Sequence, residues 1–193
     1  MYKILGLVGP SGCGKDTAAR YLTKKFKDKC HLVKLSTTRP KRDTEIGDEY
    51  NFLTNKEFAE QIINGTMLNA QEYNNWYYGT HIDSLNKDKV NVIPMSEQMV
   101  QQMIEEDNDK IKIIFIYIDT NDKQRLMRCL KRENNPDCYE ICRRFIADDE
   151  KYTNNNKLRN KCCFTIGNNY NYDFYNNLNR VFNFIIEGQI YLK

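Results

Sequence analysis

Nine residues near the start of the chain, Gly9-Pro10-Ser11-Gly12-Cys13-Gly14-Lys15-Asp16-Thr17, constrain it more than any other stretch. They follow a short apolar run, Ile4-Leu5-Gly6-Leu7-Val8. They precede a pattern in which Ala18, Leu22 and Phe26 share one helical face. Strand, glycine-rich turn, lysine and helix form the setting in which backbone N–H groups wrap a chain of phosphates. The glycines let the backbone curl and approach a ligand closely. The helix N-terminus adds about half an elementary positive charge. The candidate phosphate-binding residues are therefore Gly9, Ser11, Gly12, Cys13, Gly14, Lys15, Asp16 and Thr17. The strict pattern has Ser or Thr directly after the lysine; here Asp16 stands there and Thr17 follows. Both carry hard oxygen donors, so Asp16 and Thr17 are the candidate Mg²⁺ ligands, alongside phosphate oxygens.

The rest of the chain has the rhythm of an α/β fold. Strand patterns occur at 2–8, 31–36, 90–95, 112–118 and 162–166. Ile113-Ile114-Phe115-Ile116 is a continuous apolar run, as expected for a strand covered on both faces. Helical stripes lie between them: Met99, Val100, Met103 and Ile104 after a capping Ser96, then Leu126, Met127 and Leu130 after Asn121, and last Leu178, Val181, Phe182 and Ile185. Strands alternating with helices predict a mostly parallel sheet with helices on both sides. A length of 193 residues suits one domain with one sizeable core.

Two segments break the rhythm. Residues 36–89 hold only short strand-like pieces, 50–53 and 67–70, and one helix with a capping-box start, Thr54-Asn55-Lys56-Glu57. This predicts an inserted lobe. Residues 122–159 contain a polar stretch with Pro136 between two arginine-bearing helices, which reads as a lid. The core is then assigned to 1–35, 90–121 and 160–193. The asparagine-rich stretch 168–179 reads as a loop and a helix start.

Composition removes several alternatives. A net charge of +3 is too small to argue for a nucleic-acid or membrane surface. No apolar run is long enough for a transmembrane helix, and no signal-peptide pattern opens the chain. The seven cysteines are irregularly spaced, and only His31 and His81 accompany them, which argues against zinc. Reduced thiols in a cytoplasmic protein are the expectation. Cys13 lies beside a lysine and a helix end, so a lowered pKa and oxidation sensitivity are a side expectation.

A second anion site follows. Ser36-Thr37-Thr38-Arg39-Pro40-Lys41-Arg42 ends in three cations. Arginine forks match phosphate oxygens. Glu49-Tyr50-Asn51-Phe52 and Trp76-Tyr77-Tyr78-Gly79-Thr80 supply hydroxyls suited to a phosphate monoester.

With these residues in order, the chain resembles guanylate kinase and its relatives among the P-loop nucleoside monophosphate kinases. The matching residues are Gly9–Thr17, Ser36–Arg39, Arg42, Glu45, Gly47, Tyr50–Phe52, Tyr77–Thr80 and the lid arginines Arg128, Arg132 and Arg144. The resemblance implies a P-loop NTPase fold and transfer of a phosphoryl group from ATP, with Mg²⁺, to a small phosphorylated acceptor. It implies no nucleic acid, no membrane, and a monomer or homodimer. It places Arg39, Arg42, Tyr50 and Tyr78 on the acceptor phosphate, with Ser36 and Thr80 nearby. It places Lys15 and the loop on ATP, and Arg132 and Arg144 on the transferring group. Phosphoryl transfer needs positioning and charge neutralisation, which these residues supply.

The departures fall on the base-reading positions. The family reads guanine with a Glu and an Asp; here Asn69 and Ser96 stand in their places, and Leu35 replaces a serine. Glu72 takes over if the local register slips. GMP or dGMP is the default acceptor. The alternatives are another nucleoside monophosphate, ribose 1,5-bisphosphate, and a non-catalytic binding module of the same fold.

Overall fold

The structure is a computed structural model. It describes residues 1–41, 50–73, 75–106, 110–132, 135–152 and 156–188. The expectations for Arg42, Glu45, Gly47, Glu49 and residues 133–134 lie outside them. The elements in chain order are β1 (Tyr2–Val8), α1 (Lys15–Lys25), β2 (Cys30–Leu32), β3 (Leu35–Thr37), β4 (Tyr50–Phe52), α2 (Asn55–Ile63), β5 (Met67–Tyr73) and β6 (Trp76–His81). After a 3₁₀ turn at Ile82–Ser84 come β7 (Val90–Met95), α3 (Glu97–Glu105), β8 (Ile111–Asp119), α4 (Asp122–Lys131), α5 (Cys138–Tyr152), α6 (Asn156–Asn160), β9 (Phe164–Gly167) and α7 (Asn171–Ile186).

Five strands form a parallel sheet in the order β2-β7-β1-β8-β9. Side chains alternate across it. Leu5, Leu7, Ile114 and Ile116 pack with Ala18 and Leu22 of α1 and with Phe174, Leu178 and Phe182 of α7. Ile4, Val8, Phe115 and Tyr117 face Met99, Val100 and Met103 of α3. Both faces are dry, which explains the unbroken apolar run of β8. Each of the Leu, Ile, Val, Phe and Met side chains among them contributes about 1.5–3 kcal/mol on burial. Among the described residues, no helix is long and apolar enough to cross a membrane.

A second, four-stranded sheet has the order β4-β3-β6-β5. β3 pairs parallel with β4 and antiparallel with β6, and β5 pairs antiparallel with β6. The single strand expected over 31–36 is two strands in two different sheets. The Val33 N–H still donates to the Val92 carbonyl at 3.2 Å, whereas Ser36 already pairs with Gly79. Hydropathy runs on through this handover, so the change of partner leaves no mark in the sequence. β6 was legible only as an aromatic motif, because its residues lack clean alternation. The capping box at α2 forms: the Glu57 N–H donates to Thr54 Oγ1 at 3.2 Å, and the Thr54 N–H donates to Glu57 Oε2 at 2.7 Å.

Candidate active site

The loop between β1 and α1 is held from outside by its carbonyls. The Ser11 carbonyl accepts from Arg125 Nε at 3.1 Å, and the Gly12 carbonyl accepts from Arg128 Nη1 at 3.5 Å. The Cys13 carbonyl accepts from Asn168 Nδ2 at 2.7 Å and from Thr120 Oγ1 at 3.1 Å. In a planar trans peptide the N–H points opposite to its carbonyl. Fixing the Ser11 and Cys13 carbonyls outward therefore turns the Gly12 and Gly14 N–H groups inward. Gly14 has φ +104°, and a Cβ there would run into Asn168 Nδ2, so both conformation and space require glycine. Lys15 Nζ donates to the carbonyls of Gly9 at 2.5 Å and Pro10 at 3.1 Å. The Ser11 N–H donates to Asp148 Oδ2 at 2.6 Å.

Cys13 corrects the side expectation of a lowered thiol pKa. Burial raises it and outweighs Lys15, which lies 4.0 Å from the sulfur and lowers it. A thiol kept protonated is a poor nucleophile, so Cys13 fills space under the loop. All seven cysteines are free thiols.

Asp16 and Thr17 are exposed on the first turn of α1. Among the described residues, no cluster of three or more His, Cys, Asp or Glu side chains forms a metal cage. One hydroxyl and one carboxylate beside a phosphate loop fit Mg²⁺, which keeps most of its waters and binds through substrate phosphates.

The second sheet assembles the acceptor candidates by register. Leu35 pairs with Tyr50, Thr37 with Phe52 and Tyr78, Gln71 with Tyr78, and Asn69 with Thr80. These positions share one face. Arg39 is buried on it, with its guanidinium 5.5 Å from the centre of the Tyr50 ring and 5.7 Å from that of Phe52. The Tyr50 and Tyr78 rings meet edge-on at 6.1 Å. Arg39, Tyr50, Tyr78, Thr80 and Asn69 are thus brought together. Ser36 and Glu72 are not. Each is an odd number of residues from that face, and strand side chains alternate. Ser36 alternates towards α2 instead, beside a cavity of 630 Å³ lined by Asn51, Gln61 and His81 and also by Tyr50 and Phe52 of the edge strand β4. Glu72 is exposed opposite Tyr77.

The base-reading candidates have defined partners. Asn69 is buried; its Nδ2 donates to Thr80 Oγ1 at 2.9 Å and to Met103 Sδ at 3.1 Å. Its Oδ1 is buried with no hydrogen-bond partner among the described residues. Ser96 Oγ accepts the Met99 N–H at 3.1 Å as the cap of α3 and donates to Gln71 Oε1 at 2.6 Å. Gln102 Nε2 donates to the Ala70 carbonyl at 2.8 Å. Neutral amides therefore stitch β5 to α3.

Arg132 ends α4, and Arg144 lies within α5. Arg144 Nε donates to Glu140 Oε1 at 2.6 Å, and its guanidinium lies 5.6 Å from the centre of the Tyr73 ring on β5. Four residues later on the same helix, Asp148 touches Ser11. A single turn of α5, about 6 Å of rise, thus contacts both the second sheet and the β1–α1 loop. The sequence offered no sign of Arg125, Thr120, Asn168 or Asp148 as loop partners. Arg125 stands among an apolar stripe and Asn168 in an asparagine-rich stretch, and chain separations of 107 to 155 residues hide such contacts.

Comparison with known proteins agrees with this geometry. The guanylate kinase family pattern matches residues 1–183. The guanylate kinase of Mycoplasmopsis pulmonis is 31% identical over 137 residues, covering 67% of this chain and 70% of that protein. That of Campylobacter jejuni is 29% identical over 153 residues, covering 76% and 74%. That of Helicobacter pylori is 41% identical over 80 residues, and the match spans only 38% of its length. A solved structure of guanylate kinase from Anaplasma phagocytophilum superposes with a TM-score of 0.66 at 19% identity, over 98% of this chain and 87% of that one. That likeness shows a common fold. The chain belongs to the guanylate kinase family.

Proposed function

We propose that this protein transfers the terminal phosphoryl group of ATP to a nucleoside monophosphate, with GMP and dGMP as its acceptors. The single observation that carries this reading is the placement of α5. Arg144 meets Tyr73 on β5 while Asp148 meets Ser11 of the β1–α1 loop, so the two proposed anion sites would lie within reach of one helical turn. The chain would divide into a core, a monophosphate lobe (36–89) and a lid (122–159), and the enzyme would work in the cytoplasm.

The chemistry is electrostatic positioning. The Gly12 and Gly14 N–H groups and Lys15 hold the ATP phosphates. Arg39, Tyr50 and Tyr78, with Arg42, hold the acceptor phosphate as the nucleophile. Both substrates are anions, and each cation lowers their mutual repulsion. Arg132 and Arg144 approach the transferring group as the lid closes and excludes water, which would otherwise accept the phosphoryl group. Asp16 and Thr17 would hold Mg²⁺, which would supply charge neutralisation at the phosphate oxygens. No catalytic base is needed, because the acceptor phosphate is already ionised.

Asn69 supports guanine. Its Nδ2 is committed to Thr80, and its buried Oδ1 has no hydrogen-bond partner among the described residues, which leaves an acceptor of the kind a carboxylate offers. Guanine presents N–H donors to such a group. A neutral amide discriminates less than a carboxylate, and this lining favours as second reading another phosphorylated acceptor, ribose 1,5-bisphosphate included. A coupled ADP-release assay over all ribo- and deoxynucleoside monophosphates and ribose 1,5-bisphosphate tests this. Fastest turnover with GMP or dGMP is expected. Turnover with no acceptor at all overturns the kinase reading in favour of a binding module.

A further inference from the structure

Asp148 is a carboxylate seated on the phosphate loop. The Ser11 N–H donates to it at 2.6 Å, short as charge-assisted hydrogen bonds are. A carboxylate oxygen and a phosphate oxygen are the same kind of partner for a backbone N–H. The other side of the same residue is held too. The Ser11 carbonyl accepts from Arg125, whose guanidinium lies 4.5 Å from the centre of the Phe145 ring. Phe145 and Asp148 are three residues apart on α5 and share one face of it. That helix therefore grips Ser11 by its donor directly and by its acceptor through Arg125. One turn earlier, Arg144 is paired with Glu140 at 2.6 Å on the same helix. The helix thus offers the loop an anion while Arg144 is tied to Glu140, a carboxylate it shares with Arg143. Phosphoryl transfer needs the opposite arrangement, a cation at the terminal phosphate and no carboxylate beside it.

We propose that Asp148 is an internal competitor of the ATP phosphates: it occupies the Ser11 N–H in the resting loop, and its displacement by triphosphate couples ATP binding to movement of α5. This rests on the kinase reading of the same loop. The exchange also explains how one helix serves two states. Asp148 and Arg144 are four residues apart and lie on one face. A shift that lifts the carboxylate from Ser11 lets the guanidinium one turn away approach the phosphates. Repulsion between Asp148 and an arriving triphosphate drives that shift, and Glu140 holds Arg144 until then.

Isothermal titration of Mg²⁺–ATP, and separately of inorganic tripolyphosphate, into the wild-type protein, Asp148→Asn and Asp148→Glu tests the competition. The Asn variant is expected to bind both about tenfold more tightly, because a neutral amide holds the Ser11 N–H more weakly than a carboxylate and does not repel phosphate. The Glu variant is expected to stay within about threefold of wild type, and GMP affinity is expected to be equal in all three. Equal, measurable ATP affinities in wild type and the Asn variant overturn the competition alone, as does weaker binding in that variant. Absence of ATP binding in every protein overturns the kinase reading and the competition together. Amide hydrogen exchange at Ser11 in the nucleotide-free wild type needs no variant to fold. Protection is expected, and exchange at the rate of an exposed amide overturns the proposal.

Discussion

Lys15 and Asn168 act on the phosphate loop from its two sides. Lys15 rests on the carbonyls of Gly9 and Pro10, so moving it onto phosphate exchanges weak partners for a doubly charged one. Lys15→Ala is expected to abolish measurable ATP binding in titration calorimetry while leaving the melting temperature within about 2 °C. Asn168 acts through backbone. Its Nδ2 holds the Cys13 carbonyl outward, and with it the Gly14 N–H inward. Asn168→Ala is expected to weaken ATP binding about tenfold, the worth of one lost hydrogen bond and a looser loop, with GMP binding unchanged. At the acceptor face, Asn69→Ala removes a buried acceptor. We expect the KM for GMP to rise three- to tenfold and the KM for ATP to stay constant; an unchanged KM for GMP removes Asn69 from base recognition. These residues differ in how legible they are. Lys15 announces itself because glycines and a lysine at that spacing have few other uses. Asn69 is identified only through the resemblance, and its acceptor character depends on Thr80 across the strand pair. Asn168 has no sequence signal, since its partner is 155 residues away.

Local rules describe α2 well. Thr54 and Glu57 satisfy each other's backbone N–H groups, and the reading S/T-x-x-E needs nothing beyond four residues. Thr54→Ala is expected to cost about 1 kcal/mol, read from the urea midpoint at constant m-value. The β5–β6 hairpin and α5 obey no such local rule. Their mutual approach is visible only in space, where Trp76, Tyr139, Arg143 and Arg144 line a cavity of 490 Å³ between them. Trp76 is the sole tryptophan of the chain, so its emission reports this junction. Adding GMP with a non-hydrolysable ATP analogue is expected to shift that emission. A spectrum unchanged by both ligands together contradicts closure of the lid on this hairpin.

At the scale of the molecule, burial sets a pH limit. The Cys30 and Cys162 thiols are pushed up to about 12, chiefly by desolvation. In the unfolded chain they ionise near their ordinary value of about 9. Both states hold the proton below that value, so the stabilisation is fully present there. Between about 9 and 12 the unfolded chain has released protons that the fold retains, and rising pH favours unfolding. The loss is at most about 1.4 kcal/mol per pH unit for each thiol. The urea midpoint is expected to fall from pH 8 to pH 10, and Cys30→Ala is expected to flatten that fall. An unchanged slope in the variant assigns the alkaline loss to other groups.

The sequence by itself determined the strand-loop-helix that opens the chain, the α/β alternation and the apolar strands at the centre of the parallel sheet. Each of these follows from neighbours within a few residues, where glycine, charge and side-chain period act directly. Tertiary structure alone decided that the chain changes sheets after Val33, that alternation turns Ser36 and Glu72 away from the acceptor face, and that Asp148 and Arg125 meet at Ser11. Those outcomes depend on which distant strands and helices come to pack together. A side chain's partner across such a gap is set by packing geometry, which leaves no local pattern to read.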